Sequence, residues 1–320
     1  MHQRFLCLAL LALLTPIGLL QAQTGCYEKA PTLETDDGPQ IRANFLRLEY
    51  PRDFPLSDAA RSKLETDIRN QSLIVGSEVP DSWWWEDRVD RPIREALRDE
   101  GYFKAEVHTT PYLVRATTDE LQFFVSVQPE PGPQYRLGKL QFLRFMPENG
   151  TGGRVLMPKE AVSESPEFST DFAAVTVNEL RDQFQMHPGD ILNVSKIRDG
   201  LEGISKLYGR LGYVAMNSEP DTTVDEKQHV IDLLVRIEEG KQYRLKRVEI
   251  LGLDTKNAAS LESFLQAGQV FNRDSMGKLL EESKSFLRAD VYPDRIARIS
   301  RNAAEGTIGI VLDFRGCSQM

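Results

Sequence analysis

The chain has 320 residues, of which 41% are apolar and 27% charged, an ordinary balance for a folded protein and enough length for two or three domains. With 39 basic against 48 acidic side chains its formal charge is −9. No cluster of Lys and Arg offsets that charge, which argues against nucleic acid or an anionic membrane surface as a partner.

Residues 1–22, MHQRFLCLALLALLTPIGLLQA, have a short basic start, an apolar run and a small residue at the end. This is the pattern of a secretory signal peptide, with cleavage expected after Ala22. The alternative is a retained anchor; Pro16 and the shortness of the run from Phe5 to Leu20 count against it. Cys26 follows Thr24-Gly25 as a lipid-modified cysteine would, but Gln23 stands where that motif calls for a branched aliphatic residue. No later segment approaches the ~18 apolar residues of a spanning helix.

In the next stretch, FLRLEY (45–50) reads as a strand and SDAARSKLETDIRN (57–70) as a helix with Ser57 as N-cap. Trp83, Trp84 and Trp85 precede or open a second helix, which ends in REALRDEGYF. Successive helical residues point ~100° apart, so three tryptophans in a row sweep too wide an arc for one buried stripe. Two of them could pack while one caps a contact between domains, or the run could be an exposed aromatic anchor for a partner. FKAEVHTT (103–110) and LQFFVSVQPEPG (121–132) are predicted strands.

YRLGKLQFLRF (135–145) starts a second pass with a strand. A loop near 147–176 follows, rich in Gly, Pro, Ser and Glu, and its ~30 residues are far beyond the usual ~4–6, which marks it as either functional or disordered. VNELRDQFQMHPG (177–189) reads as a short helix ending at Pro188-Gly189. Asn193 opens another helix, with Ile197, Leu201, Ile204, Leu207 and Tyr208 on one face and Gly212 at its end. VAMNSEP (214–220) and VIDLLVRIEEG (230–240) are predicted strands.

The third pass repeats the order. YRLKRVEILGL (243–253) is a strand and NAASLESFLQAGQVFN (257–272) a helix ending near Gly268. Asn272 caps a second helix carrying Met276, Leu279, Leu280, Ser283 and Leu287. A strand is expected around Arg295 to Ser300, and GTIGIVLDFRG (306–316) closes the unit.

The passes share phrases. EPGPQYRLGKLQF (130–142) and EEGKQYRLKRVEI (238–250) have Glu, Gly, Gln, Tyr, Arg and Leu in common, and GDILN (189–193) matches GQVFN (268–272). The corner Gly101-Tyr102 recurs as Gly212-Tyr213; in the third pass Val291 precedes Tyr292. Recurrence at domain-sized spacing predicts an internal repeat. The fold class is therefore α+β: tandem β-α-α-β-β units, each a three-stranded mixed sheet covered by two helices. The units are placed at 42–134, 135–242 and 243–316.

A β-α-α-β-β unit with a Gly-Tyr corner and a Glu-Gly-x-x-Tyr-x-Leu handover resembles the POTRA family, the periplasmic polypeptide-transport-associated domains of Omp85-type outer-membrane assembly proteins. The resemblance covers roughly 42–316 and carries no pore activity with it, because a C-terminal barrel is not expected in this sequence. It implies that the strand after the Gly-Tyr corner lies at a sheet edge. Phe103, Lys104, Ala105, Glu106, Val107, Val214, Ala215 and Met216 are then candidate edge residues for partner binding by strand addition. The implied job is an exported docking scaffold in outer-membrane protein assembly or transport, placed in the periplasm at the inner face of the outer membrane. Its partners would be outer-membrane or periplasmic polypeptides, with a separately encoded β-barrel protein among the candidates. Neither nucleic acid nor a small-molecule substrate is expected.

Two other classes remain open: a division-complex protein of the FtsQ/DivIB type on the same fold, and a secreted enzyme. Catalysis finds little in the residues. His108, His187 and His229 stand in no HExxH setting, and there is no CxxC, GxSxG elbow or Walker loop, so no enzyme activity, cofactor or metal is expected. Cys26 and Cys317 remain after processing and form a candidate disulfide in an oxidising compartment, within one chain or between chains.

Overall fold

The computed structural model describes residues 41–70, 73–75, 86–117, 120–145, 168–287 and 292–315. The signal segment, Cys26, Trp83 to Trp85, Val291, Gly316, Cys317 and most of the long loop lie outside them.

The first unit contains β1 (Ile41–Glu49), α1 (Asp58–Asn70), β2 (Leu73–Val75), α2 (Arg91–Asp99), β3 (Glu106–Ala116) and β4 (Glu120–Glu130). One π-helical turn, Glu86–Asp90, leads into α2. The second unit runs through β5 (Arg136–Phe145), β6 (Phe168–Ser169), α3 (Val177–Arg181), α4 (Val194–Arg210), β7 (Asn217–Asp225) and β8 (Val230–Glu238). The third has β9 (Arg244–Leu251), α5 (Thr255–Glu262), α6 (Arg273–Ser283), α7 (Pro293–Ile296), β10 (Ala297–Asn302) and β11 (Thr307–Asp313).

Each unit builds the expected mixed sheet. The first and last strands pair in parallel, β1 with β4, β5 with β8 and β9 with β11. The strand between them in sequence pairs antiparallel on the far side, giving the orders β2-β1-β4-β3, β6-β5-β8-β7 and β10-β11-β9. The short β2 and β6 add a fourth strand to two of the sheets. β4 and β8 alternate along their length: in β8, Ile231, Leu233, Val235 and Ile237 are buried while their neighbours are not. That period of two is what a sheet with one face against helices requires.

The helices start where side chains satisfy free amides. Asn193 accepts from the amide of Lys196, and Asn272 from those of Asp274 and Ser275. Thr176 and Glu179 form a reciprocal capping box on α3. α3 ends at Arg181, earlier than the predicted stop at Pro188-Gly189, because Gln183 and Phe184 close a single further turn and the chain then runs irregularly to the Gly189 turn. Each unit encloses its own core. Ile68, Val89, Ile93, Leu97 and Val125 are fully buried in the first, Leu180, Ile204, Tyr208 and Val235 in the second, and Leu261, Leu279, Ile310 and Leu312 in the third.

Candidate functional site

The corner after the second helix is a Schellman motif in both of the first two units. Gly101 (φ 89°) and Gly212 (φ 84°) take the left-handed conformation. The amides of Tyr102 and Tyr213 reach back to Leu97 O and Tyr208 O, both at 3.0 Å. The corner is also the joint to the next unit. A Cβ on Gly101 would stand 2.7 Å from Ile191 Cγ2 and 3.0 Å from Tyr135 O; on Gly212 it would stand 2.7 Å from Val270 Cγ1 and 3.0 Å from Tyr243 O. Only glycine fits such an approach.

The recurring Gln-Tyr-Arg-Leu phrase supplies the other half. The amides of Tyr135 and Tyr243 donate to Gly101 O and Gly212 O, at 2.8 and 2.9 Å. The Gln134 and Gln242 side chains cap the preceding helix at Glu100 O (2.8 Å) and Leu211 O (3.0 Å). Arg136 and Arg244 hold the carbonyls of Gly189 (2.8 Å) and Gly268 (3.2 Å). Leu137 and Leu245 enter the cores of the following units. Each identity in the phrase thus has a contact at both joints.

The joints differ in side chains. At the first, Lys104 pairs with Glu226, and the Tyr135 hydroxyl donates to the same carboxylate at 2.6 Å. The Lys104 hydrogen bond, with help from Tyr135, holds the Glu226 carboxyl below its ordinary range. Glu226 in turn raises both Tyr135 and Lys104. The matching turns, aligned through their Asp225 and Asn302 hydrogen bonds, place Ala303 where Glu226 stands and Ala215 where Lys104 stands.

The outer strands are β3, β7 and β10. They begin at Glu106, Asn217 and Ala297, later than the sequence predicted. Phe103, Lys104 and Ala105 form the turn before β3, and Val214, Ala215 and Met216 occupy the matching turn before β7. The physical reason is that the Schellman corner is followed by one more turn, in which Ala105 N–H donates to Tyr102 O (2.9 Å) and Met216 N–H to Tyr213 O (3.1 Å). Glu106 and Val107 lie in β3 itself, Val107 buried and Glu106 exposed.

Both longer edges carry a proline, Pro111 opposite Val125 and Pro220 opposite Val235. Lacking an N–H, proline sits where the amide would face outward. Val107, Thr109 and Leu113 then share Pro111's parity, and their main-chain groups point away from β4. Thr109 also bonds to Asp90 through its hydroxyl. Burial is the largest influence on Asp90 and raises its carboxyl.

Two features were missed in the sequence. Tyr112, Leu113 and Val114, 52%, 48% and 59% exposed, stand together on the free edge, where a register shift between Leu113 and Arg115 breaks the alternation. The signal was visible as three consecutive apolar residues in a period-two strand. The second is Glu239, only 2% exposed. It pairs with Arg144 at 2.7 Å and accepts from the Tyr208 hydroxyl (3.0 Å) and the amides of Ala173 (2.9 Å) and Ala174 (3.1 Å). Among the described residues no group of three or more His, Cys, Asp or Glu could hold a metal.

The family profile described as POTRA, surface antigen variable number repeat, matches residues 171–240, the helices and last two strands of the second unit. Residues 171–240 are thus similar to a POTRA domain. The likeness in fold extends well beyond that unit. POTRA domains 3–5 of BamA from Haemophilus influenzae superpose over 86% of this chain and 96% of their own length, with 14% identity and a TM-score of 0.52. POTRA domains 1–3 of Omp85 from Anabaena match 86% of this chain and 95% of theirs at 18% identity, with a TM-score of 0.28. CdiB from Escherichia coli matches 81% of this chain and 35% of its own length at 15% identity, with a TM-score of 0.24. In this chain the Gly-Tyr corner and the Gln-Tyr-Arg-Leu phrase are the two halves of the connection between successive sheets, and β3, β7 and β10 are the outer strands of those sheets.

Proposed function

We propose that this chain is an exported POTRA scaffold that holds extended polypeptides at its sheet edges during outer-membrane protein assembly or transport. Its place is the periplasm, at the inner face of the outer membrane. Its partners are outer-membrane or periplasmic polypeptides, with a separately encoded barrel protein as one candidate. The boundaries near 42–134, 135–242 and 243–316 define its working units.

One observation carries this reading: in three successive sheets the same strand is left on the outside, and the first of these edges is eleven residues long with an apolar end. An unpaired edge offers main-chain donors and acceptors to any extended peptide, so client sequence matters little. Nothing in the described site calls for covalent chemistry, and the scaffold role does not require it.

Hydrogen exchange tests the proposal by its alternation. With an unfolded outer-membrane protein bound, the outward amides of Val107 and Leu113 should slow; that of Thr109 is already held by Asp90. The amides of His108 and Thr110, already paired to β4, should not change. Uniform slowing, or no change along β3, would overturn strand addition there.

A further inference from the structure

The two joints are built alike in backbone but not in filling. At the first, Phe103 leaves the corner and packs against the core of the second unit, its ring 6.4 Å from that of Tyr135 in an edge-on arrangement. Val214 holds the same place at the second joint, two residues after Gly212, and packs against the core of the third unit. Phenylalanine has become valine, and beside Val214 lies a cleft of about 380 Å³. Phe271, Met276 and Ile299 form its apolar walls, with Tyr213 and Met216 of the corner. A dry apolar space of ~150 Å³ already accepts a benzene ring.

The cleft opens beside β10, the outer strand of the third unit, which contributes Ile299, 52% exposed, and Arg301 to its lining. Arg273 from α6 also lines it, and no carboxylate does. Among the described residues Arg301 has no ion-pair partner; Arg273 contacts Ser205 Oγ at 3.4 Å and acts at longer range on Glu202, whose direct partner is Lys206. The equivalents of Ile299 and Arg301 at the first joint are Thr222 and Val224, by the register of the two hairpins. Apolar walls, room for a ring and positive charge therefore occur together at the second joint, next to a free edge.

We infer that the cleft between the second and third units is a specificity pocket for one aromatic side chain of a segment bound along β10, with a carboxylate nearby in that segment for Arg301 and Arg273. The inference rests on the edge-docking function proposed above and gives it a selective element. Phe103 shows, within the same chain, what such a place holds when it is full. A bound aromatic ring would replace the side chain that Val214 lacks, while main-chain pairing to β10 supplies the sequence-tolerant part.

The test uses the full chain and three synthetic ten-residue peptides of alternating Thr and Val. The first has a central Phe and a Glu two positions later, the second Ala in place of Phe, and the third Lys in place of Glu. By fluorescence anisotropy the Phe-Glu peptide should bind about 10- to 100-fold more tightly than the Ala peptide, the range expected for burying one phenyl group. Val214→Phe should fill the cleft from within and reduce the Phe-Glu peptide to the level of the Ala peptide. Arg301→Glu, a surface change, should instead favour the Phe-Lys peptide, a reversal that loss of structure would not produce. Equal binding of the Phe and Ala peptides, unaffected by Val214→Phe, would overturn the pocket and leave edge docking standing. Binding of no peptide would overturn both.

Discussion

Replacing Glu239 by alanine should unfold the second unit at markedly lower temperature or denaturant. The carboxylate is 2% exposed and joins Arg144 of β5, Tyr208 of α4 and the amides of Ala173 and Ala174 to the end of β8. Its removal leaves a fully buried hydroxyl and two partly buried amides without an acceptor. Breaking one side of a buried ion pair costs about 3–5 kcal/mol. The Arg144 side chain is 27% exposed and can recover some hydration, which places the expected loss near the lower figure, about 3 kcal/mol. Against a total stability of about 5–15 kcal/mol that is a large share. For a unit of this size it corresponds to roughly 12–24 °C in Tm. Glu239→Gln keeps the volume and one acceptor oxygen but turns an amide donor towards groups that donate, so its loss should be smaller, about 1–3 kcal/mol. Hydrogen exchange against urea, read on segments of the second unit in the full chain, separates the three proteins. If the alanine variant stays within about 0.5 kcal/mol of the parent, or the glutamine variant is the worse of the two, the carboxylate does not hold these elements together.

The joint glycines can be ranked: Gly132→Ala, at φ 64° with nothing within 4 Å of the new methyl, should cost only the left-handed penalty of about 1–2 kcal/mol, whereas Gly101→Ala should cost clearly more in thermal melts because it also pushes against Ile191 and the Tyr135 carbonyl. Glu226 has its folded pKa lowered, so its contribution to the first joint is complete above the ordinary carboxylate value and fades as pH falls through the lowered one; Glu226→Gln should remove that acid dependence from the distance between labels in the first two units, and an unchanged profile would dismiss the latch. Ala105→Pro should destabilise the first unit by about 3 kcal/mol in urea melts, since Ala105 is fully buried and its N–H serves the corner turn. A fragment of residues 134–252 should give a dispersed NMR spectrum, and the same fragment cut before Glu239 should not.

Element types and the repeat were legible because they rest on local periodicity and capping. Asn193 and Asn272 announce their helices, and the alternation in VIDLLVRIE can bury only one face. The start of β3 was misplaced for an instructive reason. Phe103, Ala105 and Val107 alternate as a strand does, but the first two turn towards apolar neighbours from within a tight turn, and period two does not distinguish these cases. Glu239 was opaque because its partners are brought from β5, α4 and the approach to α3, 31 to 95 positions away when counted along the sequence. The Lys104–Glu226 pair, 122 positions apart, was illegible for the same reason. Gly101 and Gly212 stand at their helix ends in the left-handed conformation, and only three-dimensional packing shows that they are also the contact with the next unit.

The joint has one property of a screw thread. The second unit brings both a socket, the glycine carbonyl and helix end at its close, and a plug, the Gln-Tyr-Arg-Leu phrase at its start; the first unit supplies a socket and the third a plug. The two halves differ, so the contact joins head to tail and does not close on itself. The plug engages main-chain oxygens, which are the same whatever side chains surround them. Gene duplication of a whole unit therefore copies a working connector at both ends, and an array can lengthen without inventing an interface. Side chains such as Phe103 and Val214 are then free to diverge, one joint sealed and its neighbour left open.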